Sequence, residues 1–207
     1  MDIKEPLSEE PRATSHEDPF RAFAEVFDEA KASGIRDPNA MVLSTVGPDG
    51  QPSSRVVLLK AFDERGFVFY TNLESRKGRE LAGNPKVSLS FFWRDLDRQV
   101  VILGTAQPVS DAEADAYFAS RARVSQLGAW ASKQSRELAS RAALLREVAK
   151  VEARYLVGSV PRPSHWSGFR VAPHWIEFWA AGKFRLHDRK VFTRSEDGDW
   201  SVQRLNP

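Results

Sequence analysis

The chain has 207 residues, and its 30 lysines and arginines nearly balance 28 aspartates and glutamates, for a formal net charge of +2. Such a balance gives no reason to expect nucleic acid or a membrane surface as partner. The absence of cysteine excludes disulfides, thiolate nucleophiles and cysteine-bound metals. With 42% hydrophobic residues and no apolar run near the roughly 20 residues that span a bilayer, we expect a globular, cytoplasmic protein.

The first 17 residues are rich in Glu, Pro and Ser and lack apolar periodicity, which predicts a disordered or flexible tail over 1–17. A single domain is then expected over 18–207. Its first helix should begin at Asp18, a favoured capping residue, followed by Pro19 in the first helical position. Gly34 is a typical residue to end that helix.

Short apolar segments separated by turn-forming clusters follow, a pattern typical of strands and hairpins. The spacing leaves too little chain for helical crossovers between parallel strands, so it favours an antiparallel barrel. The predicted strands are 41–46, 54–62, 66–71, 86–93 and 98–109, with a short helix over 74–85.

Residues 111–157 contain many Ala, Leu, Arg and Glu and no Pro, which predicts helix. We expect a break at Gly128. On the last helix, one shared apolar face is predicted from Leu138, Ala142, Leu145 and Ala149. Three more strands, 169–182, 184–194 and 200–205, should complete the sheet.

The segment FRLHDRKVF at 184–192 carries Arg185, His187 and Arg189 at alternate positions. On a strand, alternate residues share a face and lie about 7 Å apart. A row of cationic or cation-capable groups repels itself, so the pattern predicts a bound anion there.

Other cationic groups have hydroxyl neighbours. Arg76 and Lys77 fall at the start of a predicted helix, where a bound phosphate would explain basic residues that oppose the helix dipole. Tyr117 and Arg121 are four residues apart, and Ser125 extends the same face if the helix continues. For both groups the alternatives are a solvated surface cluster and a phosphate clamp.

Several kinds of site lack support. The histidines at 165, 174 and 187 are scattered, so no metal site is expected. Neither a G-x-S-x-G elbow nor a glycine-rich phosphate loop is present. What remains is a small antiparallel barrel with separate cationic clusters, which suit two phosphorylated molecules, or one large and one small, better than one.

Seven segments together resemble one family. RVVLLK, FYTNLESRKG, RQVVILG, SRARVSQLGAWASKQS, GFRV, IEFW and RLHDR occur in the order found in the pyridoxine/pyridoxamine 5′-phosphate oxidases, and the similarity runs from about Asp18 to Pro207. The resemblance implies a mainly β protein with flanking helices: an antiparallel, Greek-key, FMN-binding split β-barrel. It also implies a homodimer with FMN at the subunit interface. The implied reaction oxidises pyridoxine and pyridoxamine 5′-phosphates to pyridoxal 5′-phosphate with O2, releasing H2O2.

The resemblance also implies site residues. The flavin contacts fall on Arg55, Val56, Val57, Leu58, Leu59, Lys60, Tyr70, Thr71, Arg76, Lys77, Gln99, Gln134, Ser135, Trp179 and Arg189. The substrate contacts fall on Lys60, Tyr117, Arg121, Ser125, Arg185 and His187. Of these, Arg185 and His187 match the pair that lies over the substrate ring and are the expected catalytic residues, whereas Arg189 would face the flavin.

One departure concerns the N-terminus. Family members commonly carry an Arg-x-x-Tyr there that folds over the substrate, whereas the first tyrosine here is Tyr70, so the lid is missing or built differently. Alternative functions are a related split-barrel flavoenzyme, such as a phenazine-type oxidase or a flavin reductase, and a non-catalytic protein that binds FMN or pyridoxal phosphate. Tyr117, Arg121 and Ser125, together with Arg185 and His187, argue against the first alternative.

Overall fold

The computed structural model describes residues 18–207, so the predicted flexible tail over 1–17 and the segment expected to hold a lid lie outside the described residues. The helices are α1 (Pro19–Ala32), α2 (Arg76–Gly83), α3 (Asp111–Ser120), α4 (Arg123–Ala131) and α5 (Arg141–Arg154). The strands are β1 (Ala40–Val46), β2 (Pro52–Leu58), β3 (Ala61–Asp63), β4 (Gly66–Asn72), β5 (Lys86–Trp93), β6 (Arg98–Pro108), β7 (Trp166–Ala180), β8 (Asp188–Arg194) and β9 (Trp200–Arg204).

All neighbouring strands are antiparallel. They follow the order β2-β1-β5-β6-β7-β4-β3, with β8 beside β7 and β9 beside β8. The long strand β7 pairs with β6 along one side, while its other side pairs first with β4 and then with β8. The sheet curls into a half-barrel with flanking helices, which confirms the predicted architecture.

The main core forms where α1 packs on the sheet. The Asp18 carboxylate accepts a hydrogen bond from the Phe20 amide at 2.9 Å, and Pro19 takes the first helical position, as predicted. The fully buried Phe23 ring lies 4.9 Å from Phe67 and 5.2 Å from Phe91, centroid to centroid. Burial of such rings stabilises the fold by about 1.5–3 kcal/mol each.

A second, smaller core lies under α3 and α4 and consists of Phe118, Leu127, Val160 and Trp166. The Trp166 ring meets Phe118 edge to face at 5.0 Å. Because Trp166 opens β7, this cluster fixes the helical region against the sheet.

The helical region differs from its prediction in where it breaks. Gly128 lies inside α4, so the predicted break there is wrong. A Cβ at Gly128 would meet no atom within 4 Å, so no close packing explains this glycine. The chain instead leaves the helix at Arg121, whose ψ is 148°, and again over 132–140.

The predicted apolar face of the last helix is wrong at its first member. Ser140 caps α5 by accepting a hydrogen bond from the Ala143 amide at 3.1 Å, so the helix begins after Leu138. Leu138 and Leu145 are 55% and 58% exposed. These apolar side chains therefore find no cover within the described chain.

Two predicted strands are interrupted. The predicted strand 54–62 is β2 and β3, with Leu59 and Lys60 between them. The predicted strand 184–194 begins only at Asp188, because Phe184 and Arg185 lie in a 3-10 turn with φ of +58° and +66°. The prediction that positions 185, 187 and 189 alternate on one strand is therefore wrong.

Candidate active site

A cavity of 820 Å³ lies beside β2, an edge strand of the sheet, between α2 and the α3–α4 junction. Thirteen of the residues predicted from the sequence line it: Arg55, Val56, Val57, Leu58, Lys60, Tyr70, Arg76, Lys77, Tyr117, Arg121, Ser125, Gln134 and Ser135. Five of them are cationic, and no aspartate or glutamate lines the cavity. This composition suits a ligand with more than one negative charge.

Helix α2 directs its first turn at the cavity. The Ser75 hydroxyl caps the helix by accepting a hydrogen bond from the Gly78 amide at 3.2 Å. Lys77 Nζ donates to Thr71 Oγ1 at 3.1 Å and to Gln134 Oε1 at 2.9 Å. Burial, together with the nearby charge of Arg55, lowers the pKa of Lys77. Lys77 is thus held by neutral oxygens only, which leaves its charge for a ligand.

A buried carboxylate lies behind two of the cations. Glu80 accepts hydrogen bonds from Thr45 Oγ1 at 2.5 Å, Ser53 Oγ at 2.8 Å, Arg76 Nε at 2.8 Å and Arg55 Nη2 at 3.2 Å. Burial alone would raise its pKa, but these hydrogen bonds and the Arg55 charge lower it to about 2. The sequence analysis missed Glu80, although its spacing of four residues from Arg76 on a helix was a readable signal.

An aromatic wall closes the opposite side. The rings of Tyr70 and Tyr117 stack at 4.0 Å, and those of Tyr70 and Trp166 stack at 5.3 Å. Burial, reinforced by the charge of Glu113 and by the neighbouring Tyr117, raises the pKa of Tyr70 to about 12. Tyr70 therefore keeps its phenolic proton at neutral pH. Trp166 also lines the cavity and was not predicted as a site residue.

Arg121 completes this wall. Its guanidinium lies 4.8 Å from the Trp166 ring centroid, and its buried Nη1 has no hydrogen-bond partner among the described residues. Burial lowers its pKa. Because a buried guanidinium nitrogen without an acceptor is costly, the arrangement calls for an anion.

Tyr117 belongs to α3, Arg121 follows its end, and Ser125 lies in α4, so the expected continuous helix face does not exist. All three nevertheless line the cavity. The helix break itself turns the chain around Arg121, which lets the two helices present their side chains to one space.

A second cluster of predicted residues lies away from this cavity, on neighbouring strands. Gln99 on β6 pairs in register with Trp179 on β7, and Trp179 pairs with Arg189 on β8. The Arg189 guanidinium binds the buried Glu177 carboxylate at 2.6 and 3.0 Å. Hydrogen bonding to Glu177 is the main cause of the raised pKa of Arg189. The His187 ring lies 4.7 Å from that of Trp179.

The turn before β8 sets the positions of the two expected catalytic residues. The Gly182 amide donates to His187 Nδ1 at 3.2 Å, so a neutral His187 carries its proton on Nε2. A Cβ at Gly182 would lie 1.7 Å from the Leu186 carbonyl oxygen, so only glycine fits there. Arg185 is exposed and does not line the cavity.

Two predicted residues are placed differently from the rest. The Leu59 side chain is 3% exposed in the main core, and its amide donates to the Asn39 carbonyl at 2.8 Å. Thr71 lines a smaller neighbouring cavity of 340 Å³, which shares Tyr70 and Arg121 with the large one. Ligand contacts at both positions stay predictions.

Comparisons with known proteins point one way. Residues 27–155 match the family model described as pyridoxamine 5′-phosphate oxidase, and residues 166–207 match that of the pyridoxine 5′-phosphate oxidase C-terminal dimerisation region. The chain is 60% identical to a pyridoxine/pyridoxamine 5′-phosphate oxidase of Myxococcus xanthus, over 92% of each protein. It is 58% identical to one of Azorhizobium caulinodans, over 94% of this chain and 92% of the relative.

A solved structure adds detail on the fold. PhzG from Burkholderia lata, in complex with tetrahydrophenazine-1-carboxylic acid, superimposes with a TM-score of 0.88 at 34% identity, covering 100% of this chain and 98% of that one. Separately, none of the helices within residues 18–207 is long and apolar enough to cross a membrane.

Proposed function

Since the chain belongs to the pyridoxine/pyridoxamine 5′-phosphate oxidase family, we propose that its 820 Å³ cavity binds the phosphate groups of both FMN and the substrate. The protein is an FMN-dependent oxidoreductase that oxidises pyridoxine and pyridoxamine 5′-phosphates to pyridoxal 5′-phosphate. We propose O2 as its electron acceptor, with release of H2O2. The observation that carries the assignment of the cavity is its lining of five cations without a carboxylate.

The two phosphates go to different ends of the cavity. Arg55, Arg76 and Lys77, at β2 and the start of α2, bind the FMN phosphate in this proposal. Tyr117, Arg121 and Ser125, at the α3–α4 junction, bind the substrate phosphate. The partnerless Nη1 of Arg121 supports the second assignment, since a phosphate oxygen would supply the missing acceptor.

FMN, when bound, supplies the two-electron oxidation, and the chain supplies binding, orientation and proton placement. Arg185 binds the polar substituents of the substrate ring. His187 donates a hydrogen bond from Nε2, because Gly182 occupies its Nδ1. Arg189, fixed by Glu177, and Trp179 beside it contact the flavin.

The chain forms a homodimer, in accord with its C-terminal dimerisation region. We propose that FMN lies at the subunit interface. The support is that Trp179, His187 and Arg189 fall within this region and do not line the cavity of their own chain. Exposed apolar side chains on β2, Val56 at 65% and Leu58 at 39%, suit burial against a second subunit. The cytoplasmic location stays a prediction.

Steady-state assays test the function. The purified protein should release H2O2 and form pyridoxal 5′-phosphate with either vitamin phosphate. Tetrahydrophenazine-1-carboxylic acid should be a poor substrate, because it has no phosphate for Arg121. Turnover of the phenazine compound alone would make the protein a phenazine-type oxidase, and flavin binding without any turnover would make it a non-catalytic binder.

A further inference from the structure

Glu80 is a buried carboxylate that is ionised at neutral pH. Its side chain is 6% exposed, and it is not among the cavity-lining residues. Thr45, which donates to it, is 1% exposed. Burying a carboxylate is costly unless it is fully hydrogen-bonded and paired with opposite charge. Glu80 meets both conditions, and its charged partners are two arginines that do line the cavity.

The contacts leave one arginine with free donors. Arg76 is 58% exposed, and Glu80 holds it through Nε alone. Its two terminal nitrogens have no hydrogen-bond partner among the described residues. An exposed arginine without such a tether loses side-chain entropy when a ligand orders it. The tether therefore orders Arg76 before the ligand arrives.

The other arginine is held more completely. Arg55 Nη1 donates to the Leu43 carbonyl at 3.3 Å and to Thr45 Oγ1, and its Nη2 donates to Ser53 Oγ and Glu80. Two adjacent guanidinium groups repel each other, and the carboxylate between them offsets this repulsion.

We propose that Glu80 is a positioning residue for the FMN phosphate: from behind the cavity wall it holds Arg55 and Arg76 together in the orientation that binds the dianion. The inference rests on the proposed function of the cavity. It assigns to Glu80 no contact with FMN and no part in the reaction.

The experiment compares FMN with riboflavin, which has the same ring and no phosphate. The full-length dimer is freed of flavin by dialysis, and both ligands are titrated by the quenching of flavin fluorescence. In Glu80→Gln the side chain keeps its shape and loses its charge. We expect FMN affinity to fall by about tenfold to a hundredfold, while riboflavin affinity changes less than about threefold.

The matched control is Glu74→Gln, which removes an exposed carboxylate just before α2 that has no side-chain contact with either arginine. It should leave both affinities unchanged. A second variant, Thr45→Val, keeps the Glu80 charge and removes one donor to it, together with one acceptor of Arg55 Nη1. Thr45→Val should lower FMN affinity but not riboflavin affinity, and the loss should be smaller than in Glu80→Gln. If Glu80→Gln does not fold, Thr45→Val tests the positioning role in its place.

Unchanged FMN affinity in Glu80→Gln, or an equal loss for FMN and riboflavin, would overturn the positioning role while the phosphate site stands. If the unmodified protein binds riboflavin as tightly as FMN, the phosphate site itself fails, and the inference fails with it. The two failures are therefore distinguishable in one data set.

Discussion

Arg121 combines burial with an incomplete set of hydrogen bonds. Its guanidinium stacks on Trp166, one of its nitrogens is buried without an acceptor, and no ion pair within the described chain neutralises it. A group of this kind raises the free energy of the empty protein. Binding an anion then satisfies the nitrogen without first breaking a salt bridge.

We expect Arg121→Met to lower kcat/KM for pyridoxine 5′-phosphate by about tenfold to a hundredfold, because one charge-assisted phosphate contact is worth about 1.5–3 kcal/mol. FMN occupancy should stay near normal, since other cations bind its phosphate. Steady-state kinetics and the flavin spectrum measure both. Arg21→Met, on the exposed surface of α1, is the control. Loss of flavin in Arg121→Met would contradict the division of the cavity between two phosphates.

The sequence predicted Tyr117, Arg121 and Ser125 as a group, and the structure brings them to one cavity by another route. Spacing of four residues predicts a shared helix face, but the backbone leaves the helix at Arg121. At this point Arg121 contacts the ring of Trp166, which is 45 residues away in the chain. Local spacing carries no information on such a contact.

At the scale of elements, the turn Lys183–Arg185 shows why the predicted alternation of residues 185, 187 and 189 on one strand is wrong. Phe184 and Arg185, two consecutive non-glycine residues, both have positive φ, in the left-handed region that such residues seldom adopt. Gly182 makes the turn close enough for its amide to reach His187. The regular strands, by contrast, were predictable as apolar segments between turn-forming clusters. Of these, β1, β5 and β6 alternate buried with more exposed residues, whereas β4 is buried along nearly its whole length.

We expect Arg185→Asn to keep FMN and to lose about 2–4 kcal/mol of transition-state stabilisation in kcat/KM, because it removes the guanidinium at a left-handed position that asparagine tolerates. Arg185→Gly relieves the backbone strain, yet it should lose turnover to a similar extent. Arg189→Leu should instead weaken flavin binding. Flavin occupancy and kinetics of the three variants are the measurements. Normal turnover in Arg185→Gly would show that the side chain has no role.

Helix α2 is tied to β1 and β2 through Glu80, and this contact depends on pH. The pKa of Glu80 is lowered from 4.5 to about 2. Glu80 therefore stabilises the folded protein fully above pH 4.5, and this stabilisation disappears as the pH falls toward 2. After allowance for screening at the exposed Arg76, we expect Glu80→Gln to cost about 1–2 kcal/mol at pH 7. Urea unfolding at pH 7, 4 and 3 measures the free energy of unfolding of the unmodified protein and of Glu80→Gln. The difference between the two should shrink only below pH 4.5. A difference that does not change with pH would show that the Glu80 charge is not its cause.

At the scale of the molecule, the predicted site residues form two groups in one chain. The cavity group comes from β2, α2 and the helical region, and the row Gln99–Trp179–Arg189 comes from β6, β7 and β8. The sequence could supply both groups but not their separation, since residue identity says nothing about which copy of a chain provides a contact. In the dimer that we propose, the cavity of one subunit meets the row of the other.

Mixed dimers test this arrangement. We expect co-expressed Arg121→Met and Arg185→Asn chains, each nearly inactive alone, to recover about one quarter of the activity, because half of randomly formed dimers are mixed and each has one undamaged site. Separately tagged chains allow purification of the mixed dimer, which should have about half the normal activity. No recovery in the purified mixed dimer would show that each chain builds its own site.

The edge position of β2 has a consequence for the supply of cofactor. This strand has one neighbour, β1, and it exposes Val56 and Leu58. An uncovered, apolar strand edge is a template for pairing with other chains and hence for aggregation. Because flavin and the second subunit would cover this edge, newly made protein in riboflavin-starved cells should form insoluble aggregates before it loses its fold.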